Sequence, residues 1–145
     1  MTDAISPTQP LTPPAAGREV IVVALPAVGV YLSVLRTTTA SVAARLDFTL
    51  DEIEDLKIAV DEACAMLLAS ASPGGELVCR FELDSDVIRV SVTADCLNGE
   101  PPSRQTFAWT VLTALAGEVD SDVDEAGRVT VRLSKRRAER TAVPS

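Results

Sequence analysis

The stretch Thr49–Ser72, TLDEIEDLKIAVDEACAMLLASAS, decides the fold. Thr49 is a good helix N-cap, and Glu52 three residues later completes a capping box. Asp51, Glu52, Glu54 and Asp55 crowd the first turns, where the helix dipole favours negative charge. Ile53, Leu56, Val60, Ala63 and Leu67 recur at three- and four-residue spacing and form a buried stripe. Beyond the acidic turns one carboxylate, Glu62, stands among Ala, Val, Cys, Met and Leu. Two readings of it stay open: a boundary carboxylate at the edge of the stripe, or an acid/base group held on a rigid helix facing a pocket.

On the N-terminal side, Arg18–Leu25 (REVIVVAL) is a β-rich run. Pro26 then opens a first helix, whose period runs through Val28, Tyr31, Leu32, Leu35, Thr39, Val42 and Leu46. Its polar side carries Arg36, Thr37, Thr38, Ser41 and Arg45. The second helix runs from about Leu50 to Ala71 and ends at a Ser-Pro-Gly-Gly turn. Two apolar or alternating runs, Glu76–Leu83 and Val87–Thr93, form a hairpin across Asp84–Asp86. After a loop at Asp95–Arg104 comes a third helix, Thr106–Ala116, stopped by Gly117. A second hairpin pairs Glu118–Val123 with Arg128–Ser134. The order βααββαββ predicts an α+β fold, a two-layer α/β sandwich with a mixed sheet and its helices on one face. The expected organisation is a disordered Pro-rich leader over 1–17, one domain over 18–135, and a basic flexible tail over 136–145.

A chain of 145 residues, 47% hydrophobic, suits a single domain with a sizeable core. No run of about 18 apolar residues is present, so no membrane span is expected. The start lacks a basic segment followed by an apolar one, which argues against a secretory signal and for a cytoplasmic chain. A net charge of −8 argues against direct nucleic-acid binding and suits a partner with a basic surface. There is no histidine, and Cys64, Cys79 and Cys96 show no metal-binding spacing. Cys64 and Cys79 read as core thiols; Cys96 falls in a loop and is the one candidate for redox sensitivity.

Order and residues together resemble the RsbW-like anti-sigma factors, serine kinases of the GHKL (histidine-kinase-like ATPase) superfamily. The resemblance covers roughly Arg18 to Arg137 and is densest from Ser33 to Ala71. The capping-box start, the Ala-Val-x-Glu-Ala core of the second helix and the ALAGEV that closes the third all fit. It implies three nucleotide boxes. In the first, Glu62 matches the general base that activates a substrate serine, but Met66 stands where the family's Asn holds Mg²⁺, and Ser70 where His is common. A thioether is a poor ligand for a hard cation. In the second, an Asp-x-Gly-x-Gly loop, Asp95 matches the adenine-contacting acid and Gly99 the second glycine, while Leu97 replaces the first. In the third, Thr106-Phe107-Ala108-Trp109 replaces a Gly-x-Gly phosphate lid. The pattern resembles that of an actinobacterial member with worn ATP-binding boxes.

The resemblance further implies an alternative sigma factor and a STAS-domain anti-anti-sigma antagonist as partners, together with homodimerisation. Arg36 matches the family's partner-contacting arginine; its other reading is an ordinary solvated side chain. The expected function is therefore an anti-sigma factor that sequesters a sigma factor and is released by the antagonist. The alternative is an active kinase that phosphorylates that antagonist, using ATP and Mg²⁺, with Glu62 as base and Asp95 on adenine. A redox-responsive binding module acting through Cys96 is a third possibility.

Overall fold

A computed structural model describes residues 18–139. The chain forms β1 (Arg18–Pro26), a short 3₁₀ turn at Gly29–Tyr31, α1 (Leu32–Arg45), α2 (Leu50–Leu68), β2 (Glu76–Asp84), β3 (Val87–Asp95), α3 (Phe107–Leu115), β4 (Glu118–Val123) and β5 (Arg128–Arg136). The order βααββαββ is the one expected. The leader over 1–17 lies outside the described residues, as does the end of the expected tail from 140 onward.

The sheet order is β1-β2-β3-β5-β4. A mixed sheet was expected, yet all four neighbouring pairs are antiparallel. The cause is topological. Two helices separate β1 from β2, so the chain re-enters the sheet in the opposite direction. One helix separates β3 from β4, which therefore run the same way, but β5 is inserted between them.

Strict alternation gives the sheet its two faces. Leu77, Cys79, Phe81 and Leu83 on β2 lie in register with Ala94, Val92, Val90 and Ile88 on β3, and all eight are buried. Val129, Val131 and Leu133 continue this layer on β5. The helices close over it with Leu35 and Val42 of α1, the whole expected stripe of α2 plus Cys64, and Trp109 and Leu112 of α3. Thr39, a buried polar side chain, is satisfied by donating its Oγ1 hydrogen to the Leu35 carbonyl at 2.6 Å. The opposite sheet face is polar: Thr93 and Thr130 share a hydrogen bond at 2.8 Å, and Arg132 reaches both Asp120 and Asp122.

Three further expectations are corrected. The first helix does not begin at Pro26, which ends β1; Gly29 sits in a 3₁₀ turn, and Val28 and Tyr31 are left 53% and 42% exposed. Within the basic cluster near the C-terminal end, Lys135, Arg136 and Arg137 are held against the fold. Lys135 donates to the Leu115 carbonyl at 2.9 Å, Arg136 pairs with Asp86 at 2.8 Å, and Arg137 donates to the Leu46 carbonyl at 2.7 Å. Lys135 and Arg137 thus satisfy carbonyls left open at the ends of α3 and α1. Cys96, expected in a loop and as the candidate for redox sensitivity, is only 8% exposed because its backbone bridges Ala71 and turns the thiol inward.

Candidate functional site

The site rests on α2. Its capping box is complete: Glu52 N–H donates to Thr49 Oγ1 at 3.2 Å, and Thr49 N–H donates to Glu52 Oε1 at 2.7 Å. That start fixes the helix phase and so decides which side chains face the sheet. Glu62 emerges half-buried and has no hydrogen-bond or ion-pair partner among the described residues. Its neighbour Asp61 is engaged by Arg36 from α1 at 2.7 Å. One turn beyond Glu62, Met66 and Ser70 line a cavity of about 310 Å³ whose other walls come from Cys96 and the chain over 98–103. Glu62 is not in that wall.

Asp95 is placed elsewhere. It follows buried Ala94 on β3, so its own side chain turns to the polar face of the sheet. There it lines a separate cavity of about 290 Å³ with Glu76, Thr93 and Arg128. The structure therefore does not bring Asp95 together with Met66 and Ser70. Gly99 has a structural explanation: its φ is +58°, and a Cβ there would meet Gly127 Cα at 3.5 Å. Gly127, in the β4–β5 turn, has a φ of +84°. The positive φ at each position is what favours glycine, since a Cβ at 3.5 Å would be in ordinary van der Waals contact.

At the start of α3, Thr106 caps the helix by accepting from Trp109 N–H at 3.1 Å. Phe107 is 82% exposed, whereas Trp109 is 6% exposed and covered by Arg104, whose guanidinium lies 4.8 Å from the ring centroid. Loop composition alone gave no sign of this Arg104–Trp109 stack.

The donor set does not fit Mg-ATP in the family manner. Met66 offers sulfur where a hard cation needs oxygen. Among the described residues no cluster of three or more His, Cys, Asp or Glu is placed to hold a metal.

A two-layer sandwich with two helices between its first two strands, and a cavity lined by Met66 and Ser70 at the end of α2, defines the class of protein. No protein-family model matches the chain. Among individual proteins, it is 34% identical over 113 residues to the anti-sigma-F factor RsbW of Mycobacterium tuberculosis, spanning 74% of this chain and 67% of that one. It is 42% identical over 71 residues to the serine-protein kinase RsbW of Bacillus subtilis, spanning 47% of this chain and 44% of that one. A solved structure of the RsbU and RsbW domains of a Mycobacterium tuberculosis protein superposes with a TM-score of 0.67 at 18% identity, covering 88% of this chain and 35% of that one. The fold is shared with that structure, and the chain belongs to the RsbW family of anti-sigma factors and serine-protein kinases. No helix among the described residues is long and apolar enough to cross a membrane.

Proposed function

We propose that this chain is an anti-sigma factor that binds and sequesters an alternative sigma factor and is released by a STAS-domain anti-anti-sigma antagonist. Similarity to a protein named anti-sigma-F factor, over two thirds of that protein's length, supports the reading most directly. Sequestration needs a surface rather than chemistry, and the helical hairpin offers one. Arg36 is exposed on α1, and α2 presents Asp51, Glu54, Asp61 and Glu62 beside exposed Ile58. The acidic chain, at −8, complements a basic partner and speeds its encounter. A homodimer is the expected assembly.

The kinase alternative keeps Glu62, whose half-buried carboxylate has no partner among the described residues. It lacks the oxygen ligand and glycine lid on which phosphoryl transfer depends for positioning and charge neutralisation.

The test is co-purification of the full chain with each alternative sigma factor of its own genome, analysed by size-exclusion chromatography with light scattering. A stable complex of defined stoichiometry that an unphosphorylated STAS protein dissolves supports the reading. Absence of a complex with every sigma factor would remove it.

A further inference from the structure

We propose that the segment from Leu97 to Thr106, closed over Trp109, is a fixed cover standing where nucleotide is expected from the family resemblance, so that this chain does not bind Mg-ATP.

The root of the cover is stitched to the end of α2. Ser72 N–H donates to the Asp95 carbonyl and Leu97 N–H to the Ser70 carbonyl, each at 2.8 Å. The Cys96 thiol is turned in toward the Leu67 and Ala94 carbonyls at 3.8 Å. This short antiparallel bridge fixes the path of the chain as it leaves β3 and puts Leu97, 71% exposed, on the outside. The middle of the cover lies against the β4–β5 turn, where Gly99 comes close to Gly127. Its far end is pinned by Arg104 on the Trp109 ring.

Backbone donors decide what such a segment can hold, because phosphate is cradled by free N–H groups. Here half of the segment's eight N–H groups, those of Leu97, Gly99, Glu100 and Gln105, are already given to Ser70 O, Cys96 O, Asn98 Oδ1 and Ser103 Oγ, and at the start of α3 the Trp109 N–H is given to Thr106 Oγ1. Pro101 and Pro102 have none to give. Arg104, a cation that would suit phosphate, is stacked on an indole instead. Beneath the cover, Met66 supplies sulfur in place of an oxygen ligand.

The test uses the full chain alone, so its outcome is separate from whether a sigma factor binds. Isothermal titration with Mg-ATP and with Mg-ADP to millimolar concentration is expected to give no saturable heat, and the melting temperature is expected not to move. Saturable binding of either nucleotide overturns the proposal. Hydrogen exchange on Arg104→Ala tests the cover itself. Amides over 97–106 are expected to exchange at least tenfold faster than in the parent, with Mg-ATP still unbound. Unchanged exchange would show that the stack does not hold the segment. Nucleotide binding gained by Arg104→Ala would show a gate over a working site rather than its replacement. Either result overturns the proposal.

Discussion

Arg36 on α1 and Asp61 on α2 are joined across the helical hairpin, Nε donating to Oδ2 at 2.7 Å while the arginine side chain stays 47% exposed. The pair contributes little stability, because exposed ion pairs are worth about 0–1 kcal/mol. What it fixes is the position of the guanidinium, whose terminal N–H groups have no acceptor among the described residues. Under the proposed function, Arg36→Ala is expected to weaken sigma-factor binding by about 1–3 kcal/mol and to change folding stability by less than about 1 kcal/mol. Asp61→Asn should weaken binding less, since the arginine keeps its own contacts. Titration calorimetry beside urea melts separates the two quantities; an equal or greater loss for Asp61→Asn would move the contact to the carboxylate.

Glu52 serves two partners. Its Oε1 closes the capping box with Thr49, and its Oε2 accepts Ala138 N–H at 2.6 Å, tying the chain after β5 to the start of α2. Thr49→Ala is expected to cost about 1 kcal/mol, the usual loss for a side-chain cap. Glu52→Ala removes an acceptor from two backbone donors and is expected to cost about twice that. Equal destabilisation of the two variants in urea would mean that the Ala138 contact contributes nothing.

Helices and strands were legible here because local signals agreed with one another. The capping box, the three-four spacing of α2 and the alternation in β2 and β3 each specify one period. The strand order was not legible, since no local pattern states that β5 lies between β3 and β4. Arg136 and Arg137 read as a solvated run because their acceptors, Asp86 and the Leu46 carbonyl, are distant in sequence. Of the site, the sulfur that Met66 presents to its cavity was readable from residue type. The outward turn of Asp95 follows from alternation once Ala94 is known to face the helices. The Arg104–Trp109 stack depends on how the loop closes, which composition does not specify.

The two basic residues at the end of β5 should behave differently. Arg137 donates at 2.7 Å to the Leu46 carbonyl, at the C-terminal end of α1, and is half-buried. Arg136 pairs with Asp86 while 65% exposed. Arg137→Ala is expected to cost about 1 kcal/mol, a drop of roughly 3–6 °C in Tm, and Arg136→Ala less than about 0.5 kcal/mol. Thermal melts of the two variants check the order; a larger loss for Arg136→Ala would show that the surface pair matters more than the cap.

Stability should fall in alkali because of two core thiols. Burial pushes the Cys64 thiol up to about 12, helped by the negative charge of Asp61; burial also raises Cys79, with Cys64 adding to the effect. In the unfolded chain both titrate near 9.0. Above that pH the unfolded chain has released protons that the folded chain still holds, so the unfolded state gains. Stability is therefore fully retained below about pH 9 and lost as pH rises toward 12, by up to about 1.4 kcal/mol per pH unit for each thiol. Urea unfolding at intervals from pH 8 to pH 11 measures the slope. Replacing both thiols, as Cys64→Ala with Cys79→Val, lowers stability at every pH through changed packing but should flatten the alkaline decline. Parallel profiles for the two proteins would show that the thiols do not cause the decline.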